Sequence, residues 1–193
     1  MILPIVAYGS PVLRKVCADI NKDYPELEKL IADIWETMYN SNGVGLAAPQ
    51  INKAIRLFVI DSTQIFINLA EDNEEHNYPD APGFKAVFIN AQIVNLDGEQ
   101  WAYNEGCLSI PKIREDVNRN ETVTLNYVDE NFLPHTKTFN GMTARVILHE
   151  YDHIEGKLFI DYIKPLKRTL LKRKLDDISK GKIKVDYRMV FPK

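Results

Sequence analysis

Histidine and cysteine are scarce in this chain: four and two among 193 residues. That excludes a disulfide scaffold, since Cys17 and Cys107 allow one bridge at most. No long apolar run occurs, so no membrane span is expected. The opening Met1-Ile-Leu-Pro-Ile-Val-Ala-Tyr-Gly lacks a basic n-region and is broken by Pro4, unlike a signal peptide. Reduced thiols in a cytoplasmic compartment are therefore expected. No glycine-rich loop ends in Lys-Ser or Lys-Thr, which makes a phosphate-cradling nucleotide site improbable.

What is present, 45% hydrophobic and 26% charged residues without repeat or linker, suits one globular domain over 1–193. The net charge of −3 is unevenly spread. Residues 164–193 hold eleven Lys and Arg against three Asp, leaving thirteen basic and twenty-four acidic groups for 1–163. A basic tail on an acidic body fits docking to an anionic partner such as RNA, or equally a solvated helix face.

Hydrophobic spacing sketches the elements. Residues 2–13 read as extended, punctuated by Pro4, Gly9 and Pro11. A helix is predicted from Pro25, with Leu27, Leu30, Ile31, Ile34 and Met38 as its core stripe, stopping at Asn40-Ser41-Asn42-Gly43. A strand is predicted over 55–60 and a solvated acidic loop over 70–83, with His76 exposed in it. Strands follow at 86–89 and 92–96, with Asp97-Gly98 as a hairpin turn into 99–103. The alternation of Val123, Leu125 and Tyr127 marks a half-buried strand that pairs with 136–139. Helices are predicted at 142–155, closed by Gly156, and at 165–179 with Leu166, Leu170, Leu171 and Leu175 inward. The sum is an α+β domain: antiparallel β-sheets around a central helix, flanked by an N-terminal and a C-terminal helix.

That central helix carries His149-Glu150-Tyr151-Asp152-His153. With about 3.6 residues per turn, two histidines four apart share one face and can reach one metal ion. Glu150 lies about 100° round, placed to serve a metal-bound water as general base. The plainer alternative is an amphipathic helix with a solvated acidic face. Asp152 points away from the ligand row and reads as a supporting ion pair or hydrogen bond.

An H-E-x-x-H site needs a third protein ligand, with the fourth position left for water. Phe159 occupies the place of a metzincin's third histidine, and no Glu follows Glu155 to complete a thermolysin-type set. Cys107, in Glu105-Gly106-Cys107-Leu108-Ser109, remains the strong candidate, because a thiolate binds Zn²⁺ or Fe²⁺ well. A cysteine alone is more often a small buried apolar side chain, as Cys17 is expected to be. Asp161 or Asp176 would be the third ligand of a rival, endopeptidase-type site. Ser109 has no free histidine beside it to activate a nucleophile.

Three ordered stretches resemble the peptide deformylase family: Gly43-Val44-Gly45-Leu46-Ala47-Ala48-Pro49-Gln50, then Glu105 to Ser109, then His149 to His153 followed by Gly156. The Tyr8-Gly9 to Leu13-Arg14 opening is also similar, so the resemblance spans about residues 2–165. Leu148 stands where the family often has Gln, and the acidic loop is longer than usual. The resemblance implies hydrolysis of the formyl group from N-formylmethionyl nascent chains, with release of formate. It implies Cys107, His149 and His153 as metal ligands and Glu150 as general base and acid. Gln50, the Leu108 backbone N–H and the metal would hold the oxyanion, and Gly45 joins this catalytic set.

Val44, Gly45, Gly106, Leu108 and Val146 are the expected substrate-binding residues, the apolar ones shaping a methionine pocket. Gln50 otherwise reads as a loop residue bonded to its own backbone. Arg145 sits near the same helix face, facing either pocket or solvent. Glu105 is expected to orient the Cys107 loop.

One divalent ion per chain is expected. The ligand set suits Zn²⁺, the family implies Fe²⁺, and Ni²⁺ or Co²⁺ are possible substitutes. Neither membrane nor DNA is an expected partner. Ribosome contact through the basic tail is, and truncation after Ile163 is expected to weaken that contact while sparing turnover of a short peptide. A third class, a non-catalytic metal- or RNA-binding protein, is disfavoured by Glu150 beside an open metal position.

Overall fold

Two helices, one on each side of an antiparallel sheet, bury its central strands from both faces. The computed structural model describes residues 1–71 and 80–192. The chain enters along β1 (Ile5–Val6), makes a short 3-10 turn at Pro11–Arg14, and reaches α1 (Leu27–Asn40). Strand β2 (Gly45–Ala47), a 3-10 turn (Ala48–Ile51) and β3 (Leu57–Asp61) lead to α2 (Thr63–Glu71). Next come β4 (Lys85–Cys107), β5 (Ile110–Val128), β6 (Pro134–Asn140), α3 (Gly141–Ile154), α4 (Pro165–Ser179) and β7 (Met189–Val190). The sheet order is β2-β3-β4-β5-β6, every neighbour antiparallel, while β1 and β7 pair separately and in parallel.

Side chains two apart on a strand share a face, and β3 uses both. Phe58 and Ile60 pack with Phe88, Val123, Leu125 and the Ala144, Ile147 and Leu148 side of α3. Leu57 and Val59 turn the other way, onto Ile31, Ile34 and Met38 of α1. All five β3 residues are therefore buried. Helix α3 thus lies against one sheet face with most of its length enclosed, which explains why its polar residues face protein and not water.

Several expectations need correction. Helix α1 starts at Leu27, because Glu26 takes a left-handed conformation (φ +53°) that the interior of a right-handed helix does not accommodate. Asp97-Gly98 is not a hairpin turn. Gly98 has φ +74°, but β4 continues past it against β5 with a register shift between Asp97 and Gln100, so the pair makes a bulge. Positive φ serves bulges and hairpins alike, and local sequence does not separate them. The true β4–β5 reversal is Leu108-Ser109, where Cys107 pairs with Ile110. The expected acidic loop, 70–83, begins as the end of α2 and finishes in a turn at 80–83, while residues 72–79, His76 included, lie outside the described residues.

The C-terminal helix has its expected bounds, and of its expected stripe Leu171 and Leu175 pack inward while Leu166 and Leu170 do not. Leu175 and Ile178 are buried against Leu13, Ile110 and Phe159, whereas Leu166 and Leu170 are 75% and 74% exposed. Beyond α4 the chain folds back: Met189 and Val190 pair with Ile5 and Val6, and the Tyr187 hydroxyl donates to the Leu108 carbonyl at 2.7 Å. Leu175, Ile178 and the strand β7 thus tie this segment to the core. Truncation after Ile163 is expected to cost on the order of 4 kcal/mol from Leu175 and Ile178 alone and to lower peptide turnover, contrary to the expectation from sequence. An unchanged urea midpoint in the truncated chain would show that this packing contributes nothing.

Candidate active site

The site forms where the β4–β5 turn meets the middle of α3. One helical turn separates His149 from His153, and their ring centroids lie 5.2 Å apart. Cys107, the last residue of β4, brings its Sγ to 3.3 Å from His153 Nε2. The ligand atoms of Cys107, His149 and His153 all fall within 4.8 Å of one another. Ligands bonded at about 2.0–2.3 Å to one tetrahedral ion lie at separations of this scale, so one thiolate and two imidazoles fit a single divalent cation. Burial pushes the His153 pKa well below its ordinary value, which keeps the imidazole in the neutral form that ligates.

The two rival third ligands are engaged elsewhere. Asp161 pairs with Arg14 at 2.5 Å and accepts from the Leu158 N–H, and Asp176 pairs with Lys180 on exposed α4. Cys17 is a buried core residue, its thiol pushed up to about 11 by burial.

Glu105 does not orient the Cys107 loop as expected; it holds His149. Its Oε2 lies 3.0 Å from His149 Nδ1, leaving Nε2 of that ring for the site. Its Oε1 accepts from Arg119 Nε at 2.6 Å and Arg145 Nη1 at 2.8 Å. Arg119 Nη1 continues to Asp152 at 2.7 Å, and the Tyr162 hydroxyl donates to the other Asp152 oxygen at 2.8 Å. Asp152 is therefore the supporting partner anticipated for it. Burial opposes the Glu105 charge, but hydrogen bonds from His149 and Arg119 outweigh it and hold the carboxyl well below its ordinary range.

Arg145 is resolved as well. It is buried, stacks 4.0 Å from the Trp101 ring centroid, and donates to the Trp101 carbonyl at 2.6 Å. Arg119 was missed in the sequence. It occupies the inward parity of its strand with Val117 and Val123, and a charge at an inward position was the available signal.

Glu150 meets the opposite treatment. It is 4% exposed, its Oε2 has no hydrogen-bond partner, and burial pushes its pKa up to about 7 despite nearby His149 and Arg119. A Cβ at Gly45 would lie 2.5 Å from Glu150 Oε1, so only glycine lets β2 pass this close. Gln50 is fixed at one end, where Oε1 accepts the Ala47 N–H at 2.9 Å. Its Nε2 is thereby aimed at Cys107 Sγ (3.6 Å) and Ser109 Oγ (3.4 Å). Gln50 is thus bonded to backbone at one end and faces the cleft with the other.

A cleft of about 700 Å³ opens over these groups. Val44, Gly45, Gly106, Leu108 and Val146 all line it, as do Gln50, Cys107, His149 and Glu150. Ile65, Met142 and Tyr187, which the sequence did not single out, line it too. A Cβ at Gly106 would meet Arg114 Nη1 at 2.9 Å.

A half-buried thiol and two histidines beside a carboxylate with one unpartnered oxygen, in an open cleft, define a mononuclear metallohydrolase. Residues 2–169 match the family described as polypeptide deformylase. The peptide deformylases of Christiangramia forsetii and Flavobacterium johnsoniae are 55% and 56% identical to the chain, covering 100% and 99% of it and 97% and 96% of their own lengths. The crystal structure of a Legionella pneumophila peptide deformylase superposes with a TM-score of 0.76 at 36% identity, covering 94% of this chain and 98% of that one. A Plasmodium falciparum deformylase in complex with an inhibitor gives 0.74 at 30% identity, covering 91% and 99%. The chain belongs to the polypeptide deformylase family. Its activity is the metal-dependent hydrolysis of the N-formyl group from formylmethionyl polypeptides.

The Glu105 arrangement has a measurable consequence. Glu105→Gln should keep the fold yet release metal roughly 10–100-fold more readily, as loss of a ligand-supporting carboxylate does elsewhere. Chelator competition reads this directly, and metal retention equal to wild type would remove Glu105 from the site's support.

Proposed function

We propose that Cys107, His149 and His153 hold one divalent ion and that Glu150 is the general base and acid of deformylation. The observation that carries this is the convergence of the three ligand atoms within 4.8 Å beside the unpartnered Glu150 carboxylate. A bound divalent cation supplies Lewis acidity to a carbonyl and lowers the pKa of a water toward about 7. Glu150 takes a proton from the attacking water and returns it to the departing amine, so one carboxyl serves both halves of the reaction. Its raised pKa keeps it near balance between the two states.

As the formyl oxygen gains charge, Gln50 Nε2 and the Leu108 backbone N–H are the donors that meet it. Gln50 needs little reorganisation, because its carbonyl end is already tied to Ala47. Gly45 contributes by absence, leaving the Glu150 carboxylate room at the cleft floor. Val44, Leu108 and Val146 take the methionine side chain, while the backbone near Gly45 and Gly106 leaves space for an extended peptide. The donor set admits several ions. We favour Fe²⁺, with Zn²⁺, Ni²⁺ or Co²⁺ as substitutes, and the thiolate ligand of a ferrous site makes it oxygen-sensitive.

With wild type and Glu150→Ala each loaded anaerobically with Fe²⁺ and separately with Zn²⁺, the variant should retain its metal and lose at least roughly 10²–10⁴-fold in formate release from a formyl-Met tripeptide, and the wild type should be more active with Fe²⁺. Turnover near wild type would reject the base assignment, and equal activity with both ions would reject the preference for iron.

The site of action is the cytoplasm, on nascent chains. Both cysteines are free, and no described helix is long and apolar enough to cross a membrane. Exposed Leu166 and Leu170 stand among Lys164, Lys167, Arg168, Arg173 and Lys174, a basic face with apolar contacts that suits ribosomal RNA and protein. Glu in place of Lys167, Arg168 and Arg173 together should weaken ribosome co-sedimentation in a salt-dependent way and leave tripeptide turnover unchanged. Binding equal to wild type would reject this docking face.

A further inference from the structure

The helix that carries the site has an N-terminus its own flanking residue does not cap. Asn140 precedes α3 in an extended conformation but makes no side-chain cap, and its Oδ1 instead accepts from Thr122 Oγ1 at 3.0 Å. The acceptor comes from a distant segment. Asp80 Oδ2 takes the Thr143 N–H at 2.7 Å, across 63 positions of sequence. Gly141 adopts φ +55°, and a Cβ there would lie 2.5 Å from Asp80 Oδ1, so the carboxylate sits flush on the first turn. A negative charge at this end also complements the helix dipole.

A second contact joins the same two segments. Thr143 Oγ1 lies 2.8 Å from Ser62 Oγ, and Ser62 is tied to Phe84 by backbone and side-chain bonds of 3.0 and 2.9 Å. Gly83 N–H donates to the Asp80 carbonyl at 2.9 Å. The two ends of the β3–β4 connection are thus fastened to each other and set on the first turn of α3. That turn faces the cleft. Met142 and Val146, one turn apart, line it together with Ile65 of α2.

Capping effects fade within about one turn, whereas His149 stands two turns further along. Loosening the cap should therefore disturb the Met142 wall and leave the metal ligands in place. We infer that Asp80 is a positioning residue for the side-chain end of the cleft: from outside the helix it holds Met142 against the substrate's first side chain. This rests on the reading of Val44, Leu108 and Val146 as the pocket for that side chain.

The test compares wild type, Asp80→Ala and Asp80→Asn on two formyl tripeptides that differ only in beginning with Met or Ala. Asp80→Ala should raise KM for the formyl-Met peptide about fivefold, the size of a lost cap. The value of kcat and the KM for the formyl-Ala peptide, which has no side chain beyond Cβ to meet the wall, should stay within about twofold. Hydrogen exchange at the Thr143 amide should speed up roughly tenfold. Asp80→Asn keeps an acceptor oxygen and should recover most of the loss.

Met142→Ala, with Asp80 intact, should give the same selective rise in KM, so the idea remains testable if Asp80→Ala does not fold. Faster Thr143 exchange with unchanged KM values would overturn it, leaving Asp80 a stabilising cap only. An equal rise for both peptides, or an unchanged formyl-Met KM in Met142→Ala, would overturn it as well. Val146→Ala separates the two levels: if it alters the Met-to-Ala ratio while Asp80→Ala does not, the pocket stands and Asp80 drops out.

Discussion

The Glu105 carboxylate is the point on which the site's geometry depends. It is 5% exposed and takes hydrogen bonds from Arg119, Arg145 and His149, which arrive from β5 and from two positions on α3. Desolvating an unpaired carboxylate costs several kcal/mol, and two guanidiniums and an imidazole in good geometry offset that cost. Because the donors come from different elements, satisfying this one charge fixes α3 against the β4–β5 ribbon. The Glu105–Arg119–Asp152–Tyr162 chain extends the same constraint beneath both histidines.

The same neighbourhood sets two carboxylates to opposite tasks. Glu105 is surrounded by donors and stays charged, which suits a group that must hold an imidazole in one orientation. Glu150 is equally buried but lacks a partner at one oxygen, and its pKa is pushed up to about 7. A group in that condition can accept a proton and give it back near neutral pH. The environment, not the residue type, separates the roles.

Some of this was legible because it depends on short-range spacing. A repeat of four residues on a helix puts His149 and His153 on one face whatever surrounds them, and Gly156 ends that helix by its own positive φ of 69°. Alternation placed Val123, Leu125 and Tyr127 inward, and they are buried. What failed depended on distant partners. Asp97-Gly98 reads locally as a turn, but the long pairing of β4 with β5 makes it a bulge. Leu166 and Leu170 look like part of an inward stripe, yet they are exposed, and it is Leu171, Leu175 and Ile178 that meet the core. Glu105 sits two residues from Cys107, which suggested that it serves the thiol, whereas folding brings it to His149.

The chain's order of residues alone therefore determined the chemistry on offer: a thiol, two imidazoles in register, and a glutamate one position along, in a chain without other ligand sets of comparable promise. Tertiary structure decided which groups are charged, which are held, and what walls the cleft. Those properties arise from burial and from donors contributed by strands and helices far apart in sequence. Arg119, Tyr162, Tyr187 and Asp80 carry no local motif, and each acquires its place only when the folded chain leaves a buried polar atom that needs a partner.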